Sequence, residues 1–157
     1  MSIKQQIDDD LKQAMLGGEK TLVTTLRGLK SAILYAEVAK GVKEQGLDEA
    51  ELIDLLGKEA KKRQESADLF DRGGNKEKSK AELAEKAQIE TYLPAQLGDD
   101  ELADIIQSTI DELGVRGPQA MGQVIAKVKH LTGGQADGGR IAAMTKERLG
   151  QWSFLCF

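Results

Sequence analysis

The sequence has few of the side chains that metal sites and base-stacking surfaces use. Its 157 residues include one cysteine, Cys156, and one histidine, His130. An internal disulfide is therefore excluded, and a zinc site of cysteine and histidine would need ligands from another chain. Aromatic residues make up only 4% of the chain, which is a poor supply for a surface that stacks unpaired bases. We predict no bound metal and no recognition of bases by stacking.

Long apolar segments are also missing. No run approaches the length that spans a bilayer, and residues 1–12, MSIKQQIDDDLK, are too polar for a secretory signal peptide. We therefore expect a cytoplasmic protein without a membrane partner. Hydrophobic residues make up 40% and charged residues 31% of the chain, which favours a folded core over disorder.

Apolar residues recur at helical spacing along the whole chain, and no segment alternates as a strand would. We predict an all-α protein, with an N-terminal helical bundle of about four helices in residues 1–93. A linker at 94–98 begins at a proline, which stops the fourth helix. A small C-terminal domain of three short helices follows in residues 99–150. The last residues, QWSFLCF at 151–157, form an atypical apolar tail.

Local patterns predict several specific features of these helices. Asp48 and Glu51 should form a capping box at the start of the third helix, and Asp99 should cap the fifth. Glu59 and Arg63 are four residues apart with the acid first, which favours an ion pair. Four further side chains lie on the apolar faces and are expected to point inward: Leu83, Ala87, Tyr92 and Leu131.

The net charge of −4 is unevenly distributed along the chain. Residues 115–150 contain six basic and two acidic side chains and carry +4, whereas residues 1–114 carry −8. A polyanion would therefore approach the C-terminal part of the protein. Ordinary scatter of charge along a short segment is the alternative explanation.

Four glycines lie within the stretch GGQADGG, which begins at Gly133 between two helical segments. It lacks the Walker triplet and the dinucleotide spacing, so we predict no nucleotide cofactor and no other cofactor. In one interpretation it is a plain turn, where Gly133 or Gly134 ends one helix and Asp137 caps the next. In the other, the start of the second helix, with Lys129 and Arg140 nearby, binds one nucleic-acid phosphate without reading a base.

No catalytic motif is present. The serines lack Ser-x-x-Lys and Gly-x-Ser-x-Gly contexts, and the one cysteine lies in the apolar tail. A carboxylate pair such as Glu59 and Asp68 has no predicted cleft around it. We assign no catalytic residue and expect no catalysis by the isolated chain.

Three short motifs carry a family resemblance: YLPAQL at 92–97, MGQV at 121–124 and GQADG at 134–138. Together they resemble the GatB/YqeY family, closest to its free-standing YqeY-like members, from about Ile3 to Leu149. The resemblance implies an all-helical fold in two parts, similar to the C-terminal region of the GatB subunit of aminoacyl-tRNA amidotransferase. In that subunit the tail domain contacts tRNA. The family also carries a label of carbon–nitrogen ligase activity with glutamine as the amide donor.

Three functions follow as hypotheses. The first is an accessory module that binds tRNA, is associated with tRNA-dependent amidotransferase chemistry and is not catalytic alone. The second is a protein-interaction module that docks on an amidotransferase or another tRNA-handling protein. The third is a carbon–nitrogen ligase. For the first, the candidate nucleic-acid-binding residues are the corner and basic residues of the C-terminal part: Lys127, Lys129, Gly134, Gln135, Arg140 and Lys146.

Overall fold

The computed structural model describes residues 1–151, and within them every regular element is helical. The seven α-helices are α1 (Ile3–Leu16), α2 (Lys20–Lys40), α3 (Glu49–Arg72), α4 (Lys76–Glu90), α5 (Asp99–Leu113), α6 (Met121–Thr132) and α7 (Gly138–Gln151). A short 3₁₀ turn at Pro118–Ala120 precedes α6. The predicted all-α class is confirmed. Apart from Gln151, which ends α7, the predicted apolar tail lies outside the described residues.

None of the described helices is both long enough and apolar enough to cross a membrane. The helices divide into two compact units, one from Met1 to Leu93 and the other from Pro94 onward. Each unit has a hydrophobic core of its own.

The core of the first unit joins α1, α2, α3 and the end of α4. Its apolar residues repeat at helical spacing, so that each helix turns one stripe inward. Its most deeply buried side chains come from all four helices: Ile7, Leu26, Leu29, Ile33, Leu56 and Ile89. This unit also buries the carboxylate of Glu37, which the apolar pattern of α2 does not indicate.

Two helix starts test the capping predictions. At α3 the Asp48 carboxylate accepts the Glu51 N–H at 2.8 Å, and the Glu51 carboxylate accepts the Asp48 N–H at 3.1 Å, so this capping box is confirmed. The prediction for α5 is wrong, because the residue before the helix is Gly98 and Asp99 is already helical. The Glu101 carboxylate accepts the backbone N–H of Gly98 at 3.2 Å. This is the N–H of the cap residue, which the second half of a capping box bonds.

Helix α4 contributes less to the core than its sequence predicts. Tyr92, just beyond its end, is buried as expected, but Leu83 is 38% exposed and Ala87 is also exposed. Within the helix only Ser79 and Ile89 are buried. The prediction for Leu83 and Ala87 is wrong because the inward face of α4 is narrow and largely polar.

Arg63 on α3 makes part of the polar contact between α3 and α4. Its Nε lies 3.0 Å from the Glu85 carboxylate and its Nη1 lies 3.9 Å from that of Glu82, both on α4. The predicted pair with Glu59 is therefore wrong, and Glu59 instead contacts Lys62 at 2.5 Å. Half-buried Arg63 is held by the helix packed against it, since two carboxylates there offer more attraction than one on its own helix.

The second unit packs α5, α6 and α7 around one core. Its buried side chains include Leu102, Ile106, Val124, Val128, Ile141 and Leu149. Leu131 was expected to point inward but is 55% exposed. Thr132 is buried there instead, and its hydroxyl donates to the Val128 carbonyl at 2.9 Å. Because that bond satisfies its hydroxyl within the helix, it offsets much of the free-energy cost of burying a threonine here.

Candidate functional site

The corner between α6 and α7 forms as a capped turn. Gly133 and Gly134 have φ of 54° and 88°, so both adopt the left-handed conformation that ends α6. The carboxylate of Asp137 accepts the backbone N–H of Arg140 at 3.2 Å, and its carbonyl accepts the N–H of Ile141 at 3.0 Å. The glycine and cap predictions for this corner are confirmed.

The start of α7 carries backbone donors beside a cation. A helix leaves its first N–H groups without acceptors inside the helix, and Asp137 satisfies that of Arg140, the third residue of α7. Lys129 of α6 lies against the first residue, Gly138, where a Cβ would stand 3.6 Å from its Nζ. In the described part of the chain Lys129 has no acidic partner. Its ammonium therefore adds to the partial positive charge of the helix start.

Hydrogen bonds connect the corner to the segment before α5. The Leu97 N–H donates to the Gln135 carbonyl at 2.7 Å, and the Gln96 amide donates to the Gly134 carbonyl at 3.3 Å. Arg140 donates to the Leu97 carbonyl at 3.1 Å. The backbone of two of the quoted motifs, YLPAQL and GQADG, is thus joined directly. Gly134 and Gln135 hold the corner in place through their carbonyl groups, while their N–H groups and side chains are not used in these bonds.

The other predicted cations differ in their partners. Arg140 contacts the Asp99 carboxylate at 2.6 Å, and Lys127 contacts that of Glu112 at 2.9 Å, so both are paired with α5. Lys146 is exposed and has no ion pair with any described residue. It lies eight residues beyond Gly138, which is about 12 Å along the helix axis. Four predicted residues therefore meet at the corner, whereas Lys127 and Lys146 lie away from the turn itself.

Comparison with known proteins identifies the family. A sequence model of the family described as "Yqey-like protein" matches residues 4–149. The chain belongs to the YqeY-like protein family. A relative from Eremothecium gossypii, named "Altered inheritance of mitochondria protein 41, mitochondrial", is 30% identical over 129 residues, which cover 80% of this chain and 69% of the relative. The YqeY-like resemblance is thereby confirmed, while the relation to GatB stays a prediction.

The charge of the second unit in this YqeY-like protein differs from that of the segment counted in the sequence. Residues 94–151 contain eight acidic and six basic side chains, so the unit carries −2 although residues 115–150 carry +4. The difference lies in α5, which supplies the partners of Arg140 and Lys127. Among the described residues, Lys129 and Lys146 have no ion pair and Arg148 donates to the uncharged Gln107 amide at 3.1 Å, distinctions that a count along the sequence does not make.

Sequence analysis missed the residues before α5 that hold the corner. Gln96 and Leu97 were read only as parts of a family motif, and Asp99 only as a cap. Their role depends on the packing of α5 against α7, which helical periodicity does not specify. Among the described residues of this YqeY-like protein, no three histidine, cysteine or acidic side chains are grouped closely enough to hold a metal ion.

Proposed function

We propose that this YqeY-like chain is an accessory module that binds the phosphate backbone of tRNA. In this proposal it acts with tRNA-dependent amidotransferase chemistry and catalyses no reaction alone. The observation that carries it is the unpaired Lys129 ammonium beside the first turn of α7. Backbone N–H groups and a lysine that converge at a helix start are a common arrangement for one phosphate.

The glycines at the start of α7 suit such an approach. Gly138 has no side chain, so a phosphate oxygen can come close to the backbone N–H groups that Asp137 leaves free. The Lys129 ammonium lies on the same side of this turn. Asp137 opposes the phosphate with its own charge, although one of its oxygens already accepts the Arg140 N–H. We therefore expect modest affinity, lost readily as salt concentration rises.

The ion-paired side chains of Arg140 and Lys127 can add to this phosphate-binding surface at a small cost in free energy. Asp99 and Glu112 have side chains that are 83% and 66% exposed, so their bonds to Arg140 and Lys127 are solvent-accessible ion pairs. Such pairs contribute little to stability, about 0–1 kcal/mol each. A phosphate can replace either carboxylate, and both basic side chains then become additional backbone contacts.

Structured RNA fits this chemistry better than an unpaired strand. The chain is only 4% aromatic, so base stacking cannot supply much of the affinity. A-form RNA helices are recognised mostly through shape, phosphate and 2′-hydroxyl contacts, which cations and backbone donors provide. The family resemblance adds tRNA as the expected molecule of this class.

The test is binding of the purified chain to bulk tRNA and to duplex DNA across a salt series. Lys129→Ala should weaken tRNA binding and reduce the slope of log affinity against log salt by about 0.7–0.9, the value for one lost phosphate contact. Lys80→Ala is the matched control, because Lys80 is exposed on α4 and also has no ion pair with a described residue. The control should bind like the unmodified chain.

A combined Lys127→Ala, Lys129→Ala and Arg140→Ala variant should abolish selective tRNA binding if these residues form the surface. No binding at low salt would remove RNA as a direct ligand and favour the protein-interaction hypothesis. Equal weakening by Lys129→Ala and Lys80→Ala would reject the corner as the site. Release of ammonia from glutamine, or of ADP from ATP, by the purified chain would contradict the absence of catalysis.

A further inference from the structure

Arg140 differs from Lys129, the other cation at the α6–α7 corner, because an acid of the second unit neutralises it. Its Nη2 donates to the Asp99 carboxylate at 2.6 Å and to the Leu97 carbonyl at 3.1 Å. Asp99 is the first residue of α5, and its side chain is 83% exposed. An exposed carboxylate therefore lies at Arg140 where the proposed function would bring a phosphate.

The position of Arg140 does not depend on this carboxylate alone. The Leu97 carbonyl accepts from the same nitrogen, and the Leu97 backbone is itself fixed, because its N–H donates to the Gln135 carbonyl at 2.7 Å. The backbone N–H of Arg140 is bonded to the Asp137 carboxylate at 3.2 Å. All of these bonds are independent of the Asp99 side chain. What Asp99 adds to the corner is therefore mainly a negative charge.

The guanidinium of Arg140 also has donors to spare. A guanidinium carries N–H groups on all of its nitrogens, and the side-chain bonds of Arg140 to described residues start only from Nη2. A phosphate can therefore approach Nε and Nη1 while the Asp99 carboxylate is still in place. The two negative charges would then lie close together and repel each other. Asp99 opposes the phosphate until its exposed side chain moves away.

We infer that Asp99 is an internal competitor for the phosphate at Arg140 and lowers the affinity of the second unit for tRNA. This inference rests on the proposed function and adds a regulating residue to the same site. The first turn of α5 has three acids, Asp99, Asp100 and Glu101. Among them only Asp99 contacts a basic side chain, while Glu101 accepts the Gly98 N–H. The competing role therefore belongs to one side chain and not to the acidic turn as a whole.

Asp99→Asn tests the inference, because it keeps the size of the side chain and removes its charge. It should raise the affinity for bulk tRNA by about two- to fivefold, the range expected when a solvent-exposed ion pair no longer has to be broken. Asp100→Asn is the matched control, since Asp100 is exposed in the same turn and has no ion pair with a described residue. It changes the net charge equally without releasing Arg140, so it should raise the affinity much less.

A double-mutant cycle with Arg140→Ala, measured at low salt, assigns the gain to the ion pair. In the Arg140→Ala background, Asp99→Asn should raise the affinity no more than Asp100→Asn does. An equal gain from Asp99→Asn in both backgrounds would overturn the inference, because a general loss of negative charge would then explain it. Weaker binding by Asp99→Asn would overturn it as well, by making Asp99 a residue that positions Arg140. Circular dichroism checks that each variant is helical.

The same titrations distinguish failure of this inference from failure of the proposed function. If the unmodified chain binds tRNA, Lys129→Ala weakens that binding, and Asp99→Asn gains no more than Asp100→Asn, the competitor is rejected and the proposed function stands. Absence of tRNA binding by every one of these chains at low salt rejects both. Binding that is detected only with Asp99→Asn, and is lost again when Arg140→Ala is added, supports both.

Discussion

Replacing Lys4 with methionine is expected to destabilise the first unit by about 2 kcal/mol, because it leaves the Glu37 carboxylate buried without its cation. The Glu37 side chain is 3% exposed, and the Lys4 ammonium lies 2.7 Å from its Oε1. Removing one partner of a fully buried pair costs about 3–5 kcal/mol. Lys4 is itself 45% exposed, so water can partly reach the site, and we reduce the expected cost accordingly.

The double variant Lys4→Met with Glu37→Met is the most stringent test of this prediction. Replacing a buried pair by apolar side chains of similar size is often neutral, so the double variant should be more stable than Lys4→Met alone. Lys58→Met is the control, because Lys58 pairs with Asp54 at the surface, where the side chains are 66% and 52% exposed. That change should cost at most about 1 kcal/mol.

Urea unfolding at one fixed protein concentration measures these differences. Equal free energies of unfolding for Lys4→Met and Lys58→Met would mean that Glu37 does not depend on its cation. Additive costs in the double variant would lead to the same conclusion, because independent sites do not compensate each other.

Tyr92→Phe is expected to cost about 1.5 kcal/mol at neutral pH, because a hydrogen bond to a charged group contributes about 1.5–3 kcal/mol. The Tyr92 hydroxyl donates to the Asp10 carboxylate at 2.5 Å, and the tyrosine is only 7% exposed. This bond joins the segment after α4 to α1. We use the lower end of the range because Asp10 is exposed and water can solvate it after the change.

The effect of Tyr92→Phe should depend on pH in a defined direction. Burial, and then the bond to Asp10, raise the pKa of Tyr92 above its ordinary value of 10.0. Below pH 10.0 both states keep the proton, and the stabilisation is complete. Above it the unfolded chain loses the proton first, so unmodified protein loses stability that the phenylalanine variant does not.

Urea unfolding from neutral pH to above pH 10.0 measures this dependence. The stability difference between unmodified protein and Tyr92→Phe should narrow at the alkaline end. Tyr35→Phe is the control, since Tyr35 is 79% exposed and should change stability little. A difference that is constant with pH, or equal for both tyrosines, would show that the Tyr92 hydroxyl lacks the buried bond.

The features that the sequence predicted correctly are those that depend on residues a few positions apart in the chain. The capping box at Asp48 and the turn at Gly133, Gly134 and Asp137 formed as expected, because helix ends are determined by side chains a few positions apart. Asp99 shows the limit of this reasoning, since the Glu101 side chain bonded the Gly98 N–H and shifted the start of α5. The local sequence therefore predicts the presence of a helix start more reliably than the exact residue at which the helix begins.

Contacts between distant elements could not be predicted. Tyr92 bonds a residue 82 positions away, and Arg140 bonds one 41 positions away. Helical spacing shows which residues share a face but not how two faces meet, and the exposure of Leu131 has the same origin. For the candidate site, the sequence indicated the corner and its cations. It did not indicate that α5 pairs Arg140 and leaves Lys129 unpaired.

The polar attachment of α4 has a consequence for how the first unit opens. Within the helix only Ser79 and Ile89 are buried. Its polar contacts with α3 are the ion pair to Arg63 and the Lys86 bond to Gln64 at 2.9 Å. The Lys78 ammonium also lies over the Phe70 ring. Detaching the turns of α4 that precede Ile89 exposes little apolar surface, so it requires less free energy than unfolding the unit. The amide hydrogens of these turns should therefore exchange with solvent through local opening, and a protease should cleave there while the core that contains Ile89 is still folded.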